Sequence, residues 1–262
     1  MKLDRTWPRL AWASARGHSV SRLAGEGSVM TLLRVPSTEK LTDEALAELS
    51  AKFETASASE IIAWAVERFY PQMCLTASMT DAVLIDVATN VEPAIEVVFI
   101  DTGYHFPETL ETLEEVRKRY GLNLRIMTVP RVPVPLWQAD PVNCCTPAKV
   151  AQLERALVGK LAWMSGVRRQ ESMVRRQASI LSRDRRGLVK INPLANWTDL
   201  DVEGYIADHD VPVNPLLAKG YPSIGCWPCT RPVAPGEDVR AGRWAGLTKT
   251  ECGLHDELES HP

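Results

Sequence analysis

The chain has 262 residues, 45% of them hydrophobic and 24% charged, which is the composition of a globular protein with enough apolar material for a substantial core. Thirty basic residues are set against thirty-three acidic ones, giving a net charge of −3 and a pI near 6.0, and this balance excludes wholesale binding of nucleic acid or of an anionic membrane surface. No apolar run approaches the roughly 18 residues that span a bilayer, and the first thirty residues lack the features of a secretory signal, so the expectation is a cytoplasmic protein whose anion sites are local groups of Arg and Lys.

Residues 1–35 show no clear period and carry Gly17, Gly25 and Gly27, so they are expected to form an irregular extension. The domain expected over 36–234 alternates helical and strand patterns between 41 and 209, which predicts an α/β fold: an open, mostly parallel sheet with helices on both faces. Thr42 with Asp43 and Glu44 opens a first helix, and Ser59 is expected to precede a second, in which Ile61, Ile62, Trp64, Ala65 and Phe69 fall at helical spacing. Met73 to Thr76 reads as a short core strand, the four residues from Ala77 as a turn, and Asp81 to Ala88 as a helix. Ile95 to Ile100 is a β-branched, apolar run suited to a central strand buried on both faces. It ends at Asp101-Thr102-Gly103, and Pro107 suits the first turn of a helix reaching about Tyr120.

Leu124 to Val129 is a further strand, and the Pro-rich stretch from 130 to 141 is expected to be a loop that delivers the chain to Cys144 and Cys145. Thr146 and Pro147 then start a helix to about Val158, and Leu161 to Ser165 forms a strand. Gly166 to Arg186 contains seven arginines. Thr198 caps a helix over Asp199 to His209. Past Pro215 the chain is rich in Gly and Pro, which predicts a loop bearing Cys226 and Cys229 and then a mobile C-terminal tail over 235–262.

The six cysteines fall as Cys74 alone, Cys144 with Cys145, Cys226 with Cys229, and Cys252 alone. In a reducing compartment this spacing points to metal ligands and reactive thiols instead of a disulfide scaffold. The adjacent pair and the C-x-x-C pair can supply four thiolates to one centre. Zinc prefers pairs with two to four intervening residues, whereas adjacent cysteines suit different irons of a cubane; a four-iron cluster, a zinc ion and unrelated redox cysteines all stay open on chemistry alone. Cys252 sits in a polar, glycine-containing segment where a buried structural role is not expected. Cys74, between Met73 and Leu75 in a strand, reads as core.

Two loops at one sheet edge suggest a nucleotide crevice: the one holding Ser78, at a helix N-terminus, and the one holding Asp101, Thr102 and Gly103. Most of the arginines between 168 and 186 are expected to be solvated or paired with acids. Arg168 is the ligand candidate among them because it follows a strand end. Lys149 lies one helical turn after Cys145 and can stand beside a metal centre while facing a ligand. Arg240 and Arg243 are close in sequence to Cys252, and cations converging on a lone thiol point to electrophile chemistry on an anion.

These residues carry a resemblance. Phe99 to Tyr104, Cys144-Cys145 with Lys149, Gly166-Val167-Arg168-Arg169, Asn192-Pro193-Leu194, the Cys226-x-x-Cys229 loop, Arg240-Ala241-Gly242-Arg243-Trp244 and Glu251-Cys252-Gly253-Leu254-His255 stand in the order found in sulfonucleotide reductases. The chain resembles the iron–sulfur branch of that family, which acts on adenosine 5′-phosphosulfate. The resemblance implies an adenine nucleotide α-hydrolase-like fold, one [4Fe-4S] cluster on Cys144, Cys145, Cys226 and Cys229, and thioredoxin as reductant. Related ATP pyrophosphatases carry a glycine-rich loop where this chain has Ala77-Ser78-Met79-Thr80-Asp81, which argues against ATP cleavage. The implied reaction is attack by the Cys252 thiolate on the substrate's sulfur, forming an S-sulfocysteine, with Lys149, Arg240, Arg243 and His255 offsetting anion–anion repulsion. A reductase for the 3′-phosphorylated nucleotide and a zinc-stabilised, non-catalytic nucleotide-binding module are the alternatives, and homo-oligomer formation stays open.

Overall fold

Short apolar strand runs separated by amphipathic helices can bury their faces only by stacking in layers. In a computed structural model of the chain the described residues are 41–130, 132–247, 249, 251, 253 and 254. The extension expected at 1–35, Cys252 and His255 lie outside the described residues. The chain forms helices α1 (Asp43–Lys52) and α2 (Ala58–Phe69), strand β1 (Met73–Ala77), helix α3 (Val83–Val91), strand β2 (Glu96–Asp101), helix α4 (Pro107–Tyr120) and strand β3 (Asn123–Thr128). A helical turn, α5 (Leu136–Ala139), then a π-helical segment (Thr146–Val150) continuous with α6 (Ala151–Ala156), lead to β4 (Ala162–Ser165), β5 (Leu181–Arg183), β6 (Val189–Ile191) and α7 (Asp199–His209).

The six strands form one sheet in the order β3-β2-β1-β4-β6-β5. Every neighbouring pair is parallel except the edge pair β5–β6. Alternating strand residues face opposite layers. Cys74, Val98, Met127 and Trp163 pack on one side against Leu153, Ala156 and Leu157 from α6 and the turn after it, so the fully buried Leu75, Val97 and Met164, one residue out of phase, face the other. Among the described residues no helix is long and apolar enough to cross a membrane.

Register fixes where a ligand can lie. Thr76 is level with Val98 on one side and Ser165 on the other, so the loops after β1, β2 and β4 leave the same sheet edge. Strand order reverses between β1 and β4, and a crevice at the carboxyl ends of such strands is where open α/β sheets take ligands.

Several local expectations are corrected. α2 is capped by Ser57, not Ser59, because Ser57 and Glu60 close a reciprocal capping box. α3 starts at Val83, two residues late, since Asp81 is taken up in a bridge to Val213 and its carboxylate accepts from Val83 N at 3.0 Å. The helix expected from Thr146 to Val158 is split into π and α segments and stops at Ala156, and the Pro-rich loop contains the turn α5. Two further strands, β5 and β6, bracket the end of the arginine-rich segment.

Candidate active site

The double cysteine stands where the chain enters the π-helical segment. Pro147 occupies its first turn and Ala148 N donates to Cys144 O at 3.2 Å. A single π turn inside a helix widens the backbone and is characteristic of functional positions. The C-x-x-C pair closes a 3-10 turn, Trp227–Cys229, in which Cys229 N donates to Cys226 O at 3.0 Å. All four cysteines line one pocket together with Tyr104, Trp137, Ala148, Lys149, Arg243 and Trp244.

Within it hydrogen bonding with the sulfurs of Cys145 and Cys229, and burial, push the Cys144 thiol above its ordinary range. The bond with Cys144 draws the Cys145 thiol down to about 5 against the effect of burial, with help from Lys149 and Lys249. The same Cys144 bond lowers Cys229 to about 7, assisted by Arg243 and Lys149. Four soft sulfur donors with no carboxylate in the pocket wall fit a thiolate-bound iron–sulfur centre. Among the described residues no group of three or more His, Cys, Asp or Glu is already arranged around one point as a metal site.

The loop after β2 is wired to this pocket. Asp101 Oδ1 accepts from Gly103 N at 2.8 Å, a tight turn completed by the positive φ of Gly103. Thr102, 2% exposed, places its hydroxyl 3.2 Å from the Cys226 sulfur. Trp227 N donates to Tyr104 O at 2.8 Å, and Tyr104 Oη in turn accepts from Leu136 N at 3.1 Å. His105, next in this loop, lies with Nε2 3.0 Å from Ile100 O, and burial holds its pKa below the usual imidazole range.

The segment after the C-x-x-C turn doubles back on it. Thr230 and Arg243 form an antiparallel bridge, with Arg231 N donating to Gly242 O at 2.9 Å and Trp244 N to Cys229 O at 3.0 Å. This brings the Arg243 guanidinium to 4.4 Å from the centre of the Trp244 ring and Arg240 to 5.7 Å from it. Arg243 Nη1 donates to Ser223 Oγ at 3.2 Å and to Ile224 O at 3.3 Å, while its Nε is buried without a hydrogen-bond partner among the described residues. Farther on, Lys249 donates to Val142 O at 2.9 Å, Glu251 is 2% exposed between Arg175 and Arg240, and Leu254 packs on the Cys145–Trp244 cluster. These described residues of the tail expected to be mobile are packed against the domain.

Of the residues singled out in the sequence, the structure gathers Cys144, Cys145, Cys226, Cys229, Lys149 and Arg243 at one pocket, with Arg240 on the same tryptophan. Ser78, Asp101, Thr102, Gly103 and Arg168 sit at the carboxyl edge of the sheet, and Thr102 is the one among them hydrogen-bonded to a described cysteine. Arg168 follows β4 as expected, but its guanidinium is engaged by Asp199 at 2.7 Å. The neighbouring arginines are paired, Arg169 with Glu54, Arg183 with Asp43, Arg185 with Glu154 and Arg186 with Asp184. Sequence reasoning missed Trp244, Arg175 and Glu251. Trp244 and Glu251 were signalled only by their places in Arg-Ala-Gly-Arg-Trp and Glu-Cys-Gly-Leu-His; Arg175, which meets Glu251 across 76 positions, had no local signal.

Comparison with known proteins agrees with this geometry. Residues 71–232 match the family model described as the phosphoadenosine phosphosulfate reductase domain. An adenosine 5′-phosphosulfate reductase of Streptomyces coelicolor is 47% identical over 230 residues, covering 83% of this chain and 97% of the relative. The protein of the same description from Mycobacterium tuberculosis is 40% identical over 248 residues, covering 83% and 98%. The crystal structure of a phosphoadenylyl-sulfate reductase from Candida auris, in a phosphate complex, superposes with a TM-score of 0.65 at 29% identity over 74% of this chain and 99% of that one. An FMN adenylyltransferase of Candida glabrata shares the fold alone, at a TM-score of 0.53 and 13% identity over 88% of each chain. With the family model over most of the chain and relatives matched along nearly their whole length, the chain belongs to the sulfonucleotide reductase family.

Proposed function

We propose that the chain reduces adenosine 5′-phosphosulfate to sulfite and AMP in sulfate assimilation, with Cys252 as nucleophile and a dithiol protein of the thioredoxin type as reductant. The observation that carries the reading is the convergence of Lys149 and Arg243 on the four-cysteine pocket, with Arg240 beside them and a tail docked one residue before Cys252. Relatives named for the same activity at 40–47% identity support the unphosphorylated nucleotide as substrate. The nucleotide lies in the crevice at the strand ends, between the loop of Ser78 and the loop of Asp101-Thr102-Gly103.

The Cys252 thiolate attacks the sulfo sulfur, the bond from that sulfur to the bridging oxygen breaks, and AMP leaves with the bonding pair. AMP needs no strong general acid, because a phosphate monoester has a second pKa near ~6. The enzyme is left as an S-sulfocysteine. Lys149, Arg240, Arg243 and His255 stabilise the charge carried by the transferring group. A thiolate of the reductant then attacks the Cys252 sulfur and expels sulfite, and its second thiol resolves the mixed disulfide, so a dithiol is oxidised as sulfur(VI) becomes sulfur(IV). Cys144, Cys145, Cys226 and Cys229 would hold one [4Fe-4S] cluster, which would supply charge at the pocket that Lys149 also lines.

The test is transfer of label from sulfur-labelled adenosine 5′-phosphosulfate, followed by peptide mapping. Label is expected on the peptide holding Cys252 and is expected to vanish in Cys252→Ser. A Cys252→Ser variant that makes sulfite at the parent rate overturns the reading, and so does preference for the 3′-phosphorylated nucleotide in side-by-side turnover.

A further inference from the structure

Glu251 is a buried carboxylate held by two arginines. Arg175 donates to it twice, Nε to Oε1 at 2.8 Å and Nη2 to Oε2 at 3.0 Å, and Arg240 Nη2 lies 3.1 Å from Oε1. Arg175 itself is 9% exposed and donates its remaining Nη1 to Glu171 at 2.6 Å. Glu171 accepts from the backbone of Arg168, in the loop that leaves β4 at the crevice, and Arg240 reaches Ser223 at 3.4 Å. A continuous chain of charged bonds therefore runs from the nucleotide edge of the sheet, through Glu171, Arg175, Glu251 and Arg240, to the loop ahead of the C-x-x-C turn.

Two carboxylates and two guanidinium groups balance in it. Burial alone would raise the Glu251 carboxyl, yet the Arg175 bonds and the charges of Arg175, Arg240 and Arg243 hold it below the usual carboxylate range. Removing Glu251 would leave Arg175 and Arg240 facing Glu171 alone, so the charge count makes the seat specific for an anion from the tail. Three residues on, Leu254 packs against the cluster of Cys145 and Trp244. The tail is thus held on both sides of Cys252 in sequence, by charge at 251 and by apolar contact at 254.

From this geometry we infer that Glu251 is a positioning residue, its carboxylate seated between Arg175 and Arg240 to dock the tail and deliver the adjoining Cys252 thiol to the bound nucleotide. The inference rests on the functional reading above for what Cys252 does, but the seat itself is independent of it. A purely structural ion pair would change thermal stability when broken and leave sulfo transfer per folded molecule alone. A positioning pair changes the transfer step and the accessibility of the thiol while leaving nucleotide affinity in place.

The test uses full-length holoenzyme as parent, Glu251→Gln, Arg175→Met and the double variant, with three readouts: single-turnover label transfer to Cys252, AMP affinity by calorimetry, and the rate at which iodoacetamide alkylates Cys252, read by peptide mapping. Glu251→Gln is expected to slow transfer at least tenfold, keep AMP affinity within threefold, and speed alkylation severalfold as the tail undocks. The double variant is expected to be no slower than the slower single variant. Unchanged transfer or unchanged alkylation in Glu251→Gln overturns the inference, as do losses that multiply in the double variant. If Arg175→Met does not fold, Glu251→Gln decides alone, because its side chain belongs to the tail. If the parent carries no label on Cys252, the functional reading falls and the seat stands or falls on alkylation.

Discussion

Gly225 is the position at which one methyl group should separate binding chemistry from folding. A Cβ there would come within 2.2 Å of Arg243 Nη2 and 2.6 Å of its Cζ, so Gly225→Ala forces something to move. The obstacle is the far end of a flexible side chain, so the guanidinium yields and the backbone stays. Arg243 then gives up its bonds to Ser223 Oγ and Ile224 O and its place over Trp244. A partly buried cation–π contact is worth about 1 kcal/mol and each hydrogen bond about 1 kcal/mol net, part of which water returns. Those contacts are what hold the guanidinium at the pocket, so without them the position that serves the transition state becomes about 1.5–2.5 kcal/mol less accessible, roughly a 10- to 70-fold fall in kcat/KM. The assay is sulfite release over a range of substrate concentrations, with circular dichroism melting alongside. The melting midpoint is expected to hold within a few degrees, and in an Arg243→Ala background Gly225→Ala should cost nothing further. An alanine variant with parental kcat/KM, or an equal second loss in the Arg243→Ala background, would refute the reasoning.

Asp86 supplies the converse case: it accepts from Tyr205 at 2.6 Å, Tyr120 at 2.9 Å and Asn90 at 3.2 Å, joining α3, α4 and α7 away from the cysteines. Asp86→Asn is expected to lose about 2 kcal/mol, since bonds to a charged acceptor are the stronger kind, and to lower the melting midpoint while label transfer per folded molecule is unchanged. The third prediction concerns pH. Glu251 is held below its ordinary pKa in the docked tail, so its contribution is full above the ordinary carboxyl value of 4.5 and is lost as pH falls through the lower docked value. Hydrogen exchange over residues 244–254, corrected for intrinsic rates, should therefore be flat from pH 8 to pH 5 and rise below about pH 4.5; exchange that rises between pH 8 and pH 6 would contradict the assignment.

The parts of the fold legible in the sequence were those whose signals are local. α4 and α7 have the expected bounds because Pro107 starts the one and Thr198 caps the other. The central strand was visible because Val97, Val98 and Phe99 are buried on both faces and leave no alternation to confuse it with a surface strand. β6 was invisible for the opposite reason. It is three residues long with Lys190 in the middle, a position that reads as solvent-facing, yet Lys190 is fully buried with its ammonium 5.0 Å from the centre of the Trp163 ring. At the site, spacing offered two cysteine pairs that could meet at one centre, and the fold brings them to one pocket. What the spacing did not carry was the pairing of Arg168 with Asp199, and of Glu251 with Arg175, because both depend on chain segments that only the folded sheet brings together.

The bridge between Thr230 and Arg243 gives the excursion from 231 to 242 the topology of a closed ring with its neck tied beside the cysteines. Its far end, around Gly236, can lengthen with little consequence, because each doubling of a flexible loop costs only about 0.6 kcal/mol. Its neck cannot: at Gly242 a Cβ would meet the Arg231 carbonyl oxygen at 2.2 Å, and that obstacle is backbone. A reporter group or an affinity tag grafted near residue 236 would thus ride on the enzyme without altering the spacing between the C-x-x-C cysteines and Arg243.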